Sequence, residues 1–328
     1  MRRFVGCVLT SGLLPRADAC LRFTAVMKLP SQIESAVQAL MSTRGGMGGI
    51  ELLALPQLVP DRVDKAIVFT PQAQPTLVVM MAPAAYPDCV RAAFERAAAA
   101  RLALGEGSTG AVVQVAICQG TFDGRSFAIV PYLTPMGRGR LRRRWDQFRL
   151  HGPVFAWLRD ITRQTVVVPA QDAQAESFRT PLLSLSRLEA AGEPVCAAAR
   201  GSLRALEGGQ WEPRWVLAHN DLWLGNCLRR PADPASNPPF AVIDWGASQV
   251  RGHPAYDFLA FANSINLAAR PLRRELRAYC AALGCEPSQF RHHLLAALGA
   301  LSVALGEWPV ARFAATANKL VHLADLAQ

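Results

Sequence analysis

The sequence predicts an α+β protein of two lobes around a cleft. Strand-like runs dominate the first part, helical periodicity dominates the second, and one strand–loop–strand insert interrupts the helices. In order, the pattern gives a helix over Ser31 to Met41, strands over Glu51 to Leu58, Lys65 to Phe69 and Thr76 to Met81, then an alanine-rich helix over Asp88 to Leu104. Pro60, Pro71 and Pro75 mark the turns between these strands. Two more strands are expected over Ala111 to Gln119 and Arg125 to Tyr132, joined at Asp123-Gly124, a hairpin dipeptide. Gly45, Gly46, Gly48 and Gly49 follow a helical pattern rather than a strand, so they read as a connector more readily than as a phosphate loop. The expected divisions are an N-terminal extension with its helix over 1–44, a small antiparallel-sheet lobe over 45–132, a hinge over 133–137 and a larger helical lobe over 138–328.

Composition narrows the class. With 51% hydrophobic and 18% charged residues in 328, the chain can bury a large core and is not a disordered protein. Its apolar runs fall short of the roughly 20 residues needed to span a bilayer, so no transmembrane segment is expected. Eight cysteines without a CxxC pair fit neither a disulfide framework nor a zinc ribbon, and point to a reducing compartment. Arg2 and Arg3 before Phe4 to Leu14, with Ala17-Asp18-Ala19 behind, only weakly resemble an export signal. Thr10, Ser11 and Gly12 dilute the apolar stretch, and Met27-Lys28 offers an alternative start, so a cytoplasmic location is expected. The net charge is +10, and only Lys28, Lys65 and Lys319 among 35 basic residues are lysines. That bias reads either as affinity for anions or as compositional drift.

The chemistry lies in the insert. Val216-Leu-Ala-His219-Asn-Asp221-Leu-Trp-Leu-Gly-Asn226 runs into a polar loop and returns as Phe240-Ala-Val-Ile-Asp244-Trp245. Two apolar strands flanking a polar loop can bring Asp221, Asn226 and Asp244 to one end of a hairpin. Asn226 and Asp244 supply hard oxygen ligands suited to magnesium on nucleotide phosphates, and Asp221 is left to face an attacking hydroxyl.

These residues resemble the aminoglycoside phosphotransferase and choline kinase superfamily, which has a two-lobed protein-kinase-like fold. His219, Asp221 and Asn226 match its His-x-Asp-x4-Asn loop, Ile243-Asp244-Trp245 its metal segment, and Pro254-Ala-Tyr-Asp257-Phe-Leu a third block. The resemblance implies transfer of the γ-phosphate of ATP, with Mg2+, to a hydroxyl of a small molecule. Asp221 would orient or deprotonate that hydroxyl, Asn226 and Asp244 would hold the metal, and His219 and Asp257 would brace the loop. Tyr132 and Leu133, entering the hinge, would flank the adenine edge.

In the family a strand resembling Val-Val-x-Lys carries a lysine paired with a helix glutamate. Here Leu77-Val-Val-Met-Met81 puts Met80 or Met81 at that place, while Glu95 stands on the following helix. Two readings follow. Lys65 reaches the cleft from the neighbouring strand, as the displaced lysine of with-no-lysine kinases does, with Arg62 approaching phosphate beside it; or the protein is a pseudokinase-type nucleotide-binding regulatory or scaffold protein. Pro60-Asp-Arg-Val-Asp64, where a glycine loop is expected, contains no glycine.

Arg138, Arg140, Arg142, Arg143, Arg144 and Arg149, with Asp146 the sole acid among them, read as a solvated face or as a site for a phosphorylated acceptor, anionic lipid or nucleic acid. No nucleic-acid fold signature accompanies them, and nucleic-acid binding is not expected. After Asp257 there are four acids, Glu275, Glu286, Glu307 and Asp325, against seven bases, which favours a neutral or anionic sugar-like acceptor over a polycation. Cys280, Cys285, His292 and His293 lie on a helical pattern and read as core and surface residues rather than zinc ligands.

Overall fold

The computed structural model describes residues 29–44, 46–52, 63–137, 139–230, 238–306 and 308–327. The first lobe holds five strands: β1 (Gly49–Leu52), β2 (Asp64–Phe69), β3 (Pro75–Met81), β4 (Cys118–Phe122) and β5 (Arg125–Pro131). They form one antiparallel sheet in the order β1-β2-β3-β5-β4. The β4–β5 turn falls at Asp123 and Gly124, with φ of 45° and 71°, the left-handed pair that matches strand twist. The expected strand over Glu51 to Leu58 is described only through Leu52, and the remainder lies outside the described residues.

Strand alternation gives the sheet two different faces. Ala66, Val68, Leu77, Val79 and Ile129 are fully buried against Ile33, Val37 and Met41 of α1 (Ser31–Ser42). That helix repeats its apolar residues every fourth position and completes the sheet's core, so it belongs to the small lobe rather than to an extension ending at residue 44. The opposite face turns Lys65, Val78, Met80 and Val130 into the interlobe cleft, where α2 (Cys89–Leu104) packs.

One expected strand is corrected. Residues 108–111 form a helical turn, α3 (Ser108–Ala111), and β4 begins only at Cys118. Between them Val112 and Val113 are buried, Val113 bridges Val242, and the Gln114 N–H donates to the Val242 carbonyl at 3.0 Å. The apolar run at 111–115 therefore pairs with the second lobe instead of the first sheet. Apolar content alone does not say which sheet an extended segment joins.

The second lobe contains α4 (Arg140–Thr165), α5 (Gln171–Gln174), a π-helical turn at 175–179, α6 (Thr180–Ser186) and α7 (Glu193–Glu207). After two short strand pairs it continues with α8 (Tyr256–Ser264), α9 (Ala269–Leu283), α10 (Phe290–Ser302) and α11 (Val310–Ala327). The strand pairs are β6 (Val216–Ala218) with β9 (Gln249–Gly252), and β7 (Cys227–Arg229) with β8 (Phe240–Val242). β9 carries exposed side chains at three of its four positions, which is why no apolar run announced it. Trp157 of α4 stands edge-on to Phe240 and Trp245 at 6.1 and 6.3 Å and donates its indole N–H to Thr109 O at 3.0 Å. This packing clamps the β7–β8 hairpin against the helices and gives the loop around Asp244 a rigid base. Among the described residues no helix is long and apolar enough to cross a membrane.

Candidate active site

The loop leaving β6 is organised by one carboxylate. Asp257, in the first turn of α8, accepts the backbone N–H of His219 at 2.6 Å and of Asn220 at 3.1 Å on Oδ2, and that of Leu222 at 3.3 Å on Oδ1. A side chain 8% exposed thus fixes three loop amides, the arrangement that stabilises a turn with no secondary structure of its own. His219 adds the link to the second strand pair. Its Nε2–H donates to Ile243 O at 2.9 Å, and its Nδ1 accepts the Asp221 N–H at 3.2 Å, so the two bonds together select the Nε2–H tautomer. The ring lies 4.7 Å from Trp245.

Asp221, Asn226 and Asp244 are brought together by this frame. The Asn226 amide donates to the Asp221 backbone oxygen at 2.8 Å and to Asp221 Oδ2 at 3.0 Å. Its backbone oxygen accepts the Ile243 N–H at 2.9 Å, which puts Asp244 one residue beyond Asn226's partner. With the amide nitrogen engaged on Asp221, Asn226 keeps its Oδ1 as a ligand oxygen. Asn220, Asp244 and Ala255 adopt φ of 62°, 68° and 77°, so non-glycine residues in the left-handed region cluster at the site. A Cβ on Gly225 would collide with the Trp223 ring, which lies over the loop backbone. Ser264 and the Asn220 side chain also support the loop: Leu224 N–H donates to Ser264 Oγ at 2.9 Å, and Asn220 Nδ2 to Ala247 O at 3.0 Å. Asn220 fills the variable position of the His-x-Asp-x4-Asn loop, and no sequence signal pointed to Ser264.

A cavity of about 240 Å³ runs between the lobes beside this loop. Its lining is mainly apolar, with Tyr132 and Leu133 at the hinge, Lys65 and Met80 on the sheet, and Asp244 at the floor. The strand register puts Met80 and Met81 on opposite faces of the sheet. Lys65 pairs with Met80, and both line the cavity, while Met81 is buried against the α1 side. Glu95 is corrected: its side chain is 63% exposed and pairs with Arg91 at 3.8 Å, outside the cavity. One residue along, 100° around the helix, Arg96 lines the cavity instead and donates to the Gly246 carbonyl beside Asp244. The charged residue that α2 sends into the cleft is therefore an arginine, which the search for a glutamate missed. Arg62 lies outside the described residues.

Burial and mutual repulsion set the carboxylates' protonation. Asp221 is pushed up to about 8, first by burial and then by the charges of Asp244 and Asp257, against the opposing hydrogen bond from Asn226. Asp244 is also raised by burial, and Lys65 and then His219 act in the opposite direction. Oxygen donors whose ionised forms are costly to each other suit a divalent cation, so the donor set of Asn226 and Asp244 with Asp221 nearby fits magnesium. Because the folded pKa of Asp221 exceeds its unfolded value, its contribution to stability is present below about 4 and is lost as pH rises towards about 8. Asp221→Asn should accordingly stabilise the metal-free protein, by a margin that grows between those pH values; melting temperatures across that range check it, and a margin that shrinks with pH contradicts it.

Of the four residues near 280–293, Cys280 is buried as a core cysteine and Cys285 partly so, whereas His293, expected at the surface, is fully buried and His292 half-buried. His292 meets Ser202 Oγ at 2.8 Å, and His293 Nε2 accepts the Trp211 indole N–H at 3.1 Å. Among the described residues no group of three or more His, Cys, Asp or Glu side chains is placed to hold a metal; a site that includes the amide oxygen of Asn226 is of a different kind.

A family profile described as the phosphotransferase enzyme family matches residues 64–291, more than two thirds of the chain. The chain belongs to that family, and its chemistry is phosphoryl transfer. Among solved structures it is similar to aminoglycoside phosphotransferase APH(4)-Ia in ternary complex with ADP and hygromycin B, at 14% identity and TM-score 0.49, covering 88% of this chain and 98% of that one. It is also similar to a choline/ethanolamine kinase family protein from Mesorhizobium loti, at 16% identity and TM-score 0.47, covering 90% and 99%. A third is a protein named as a fructosamine-3-kinase from Haemophilus somnus 129PT, at 12% identity and TM-score 0.44, covering 89% and 97%. No curated protein sequence matches the chain.

Proposed function

We propose that the protein transfers the γ-phosphate of ATP, with Mg2+, to a hydroxyl of a neutral or anionic sugar-like small molecule. The observation that carries this reading is the convergence of Asp221, Asn226 and Asp244, the last of which lines a cavity that also holds Lys65. Magnesium would supply charge neutralisation at the phosphates, and Asn226 and Asp244 would hold it. Asp221, held by Asn226, receives or orients the acceptor's hydroxyl proton. Lys65 and Arg96 supply positive charge on the phosphate side, and Tyr132 and Leu133 bound the adenine end.

Two of the four acids after Asp257 support this acceptor class: Glu275 is tied to Arg159 at 2.5 Å and to Arg274 at 2.8 Å, and Asp325 to Arg291 at 3.3 Å, so neither offers an uncompensated charge to a polycation. The test is ADP release in the presence of sugars, amino alcohols and aminoglycosides. Magnesium-dependent turnover with a sugar, lost in Asp244→Ala together with metal-dependent nucleotide affinity, is the expected result. Turnover only with polycationic acceptors overturns the acceptor class, and full metal-dependent affinity in Asp244→Ala overturns the metal site. Met80 in the lysine's place favours a second reading, nucleotide binding without transfer. That reading prevails if nucleotide binds and no acceptor supports turnover.

A further inference from the structure

The first turns of α4 carry an apolar stripe that the other described residues leave uncovered. Leu141, Trp145 and Phe148 recur at four- and three-residue spacing and are 83%, 59% and 68% exposed, and the two rings stack on each other at 6.1 Å. Residues this large and apolar, adjacent on one exposed helix face, mark a docking surface rather than ordinary surface scatter.

The charges around the stripe define the occupant. At about 100° per residue, Arg144 falls on one flank of the stripe and Arg142 and Arg149 on the other, all three exposed. The one acid of this segment, Asp146, is turned inward, where it accepts the Gly137 N–H at 2.8 Å and faces Arg229 at 3.6 Å. The outward face is therefore apolar in its middle, cationic on both edges and free of acid. A second copy of this chain would set arginine against arginine. Residues 1–28 would repeat the conflict, since they contain four arginines and one lysine against a single aspartate. An acidic peptide would answer the arginines but not the exposed Leu–Trp–Phe ridge. Rings stacked on one another are likewise not splayed to receive bases. An anionic lipid surface answers both parts: the ridge enters the boundary between head groups and acyl chains while the arginines stay at the head groups.

We infer that the N-terminal half of α4 docks the protein peripherally on anionic membranes. The net charge of +10 adds long-range attraction towards the same surface. Nothing in this inference depends on which acceptor the cleft phosphorylates.

Flotation of the full chain with phosphatidylcholine vesicles, with and without phosphatidylglycerol, tests it. Binding should require phosphatidylglycerol and weaken with added salt. Trp145→Ala/Phe148→Ala should reduce binding about tenfold, and Arg142→Glu/Arg144→Glu/Arg149→Glu should reduce it at least as far. Leu141→Gln is the independent third variant, and unchanged melting temperatures show that each variant remains folded. Equal binding to neutral vesicles, no vesicle binding, or wild-type binding by the aromatic variant overturns the inference; the last would place the contact in another segment. Retention by an acidic polypeptide or by nucleic acid without vesicle binding overturns it in favour of that partner.

Discussion

Asp221→Ala reduces turnover by roughly three orders of magnitude, the span expected when a positioned proton acceptor is removed, while nucleotide affinity stays within a few-fold of wild type. The asymmetry follows from the geometry. Asp221 is held by the Asn226 amide at 3.0 Å and does not belong to the cavity lining, which includes Asp244, Lys65 and the hinge residues Tyr132 and Leu133. Its removal leaves Asp244, Lys65 and the adenine end in place, so the loss falls on the chemical step. Asp221→Asn is the sharper variant, since it keeps the shape and removes the base. Steady-state kinetics on the acceptor identified in the screen decide the matter. Near-normal kcat in either variant removes Asp221 from the mechanism, and a loss confined to the nucleotide KM moves it to the binding site.

The second large effect concerns the lysine. Lys65→Ala should lower kcat/KM by roughly two orders of magnitude, the usual cost of removing one preorganised charge from a transferring phosphoryl group. What distinguishes a relocated lysine from an ordinary strand residue is rescue from the neighbouring strand. Lys65 and Met80 are direct cross-strand partners, and both line the cavity. Paired Cβ atoms in an antiparallel ladder are separated by about 5 Å, a distance a lysine's four-carbon stem can span. Lys65→Ala/Met80→Lys should therefore regain a substantial part of the lost activity, whereas Met80→Lys with Lys65 present should gain little. A double variant as inactive as Lys65→Ala contradicts the relocation, provided its melting temperature matches that of the single variant.

The parts legible in the sequence were those written in short-range pattern. His219, Asp221, Asn226, Asp244 and Asp257, which the fold draws together, stand in three short blocks whose internal spacing is a local property of the sequence. The hydrogen bonds of Asp257 to three amides of the loop, those of His219, Asn220 and Leu222, then give that spacing its physical reason. The two lobes were legible because apolar residues alternate in β2 and β3 and recur at helical intervals later. What failed depended on contacts between distant segments. The run at 111–115 looked like a strand of the first sheet, but its hydrogen bonds go to Val242. Glu95 was chosen for its residue type, yet helix rotation turns it to solvent and brings Arg96 to Gly246. The choice between Met80 and Met81 was a matter of face, which one position of strand register decides. β9 was missed because an exposed edge strand has no apolar signature.

Metal-dependent nucleotide binding in the cleft is the central claim, and a thermal-shift titration with ATP in the presence and absence of magnesium tests it most directly without requiring the acceptor. At one hundred times Kd the magnesium-bound nucleotide should raise the melting temperature by about 5 °C. The rise should be much smaller without magnesium, and Asp244→Ala should remove its metal dependence. No rise with ATP, with or without magnesium, would contradict the account.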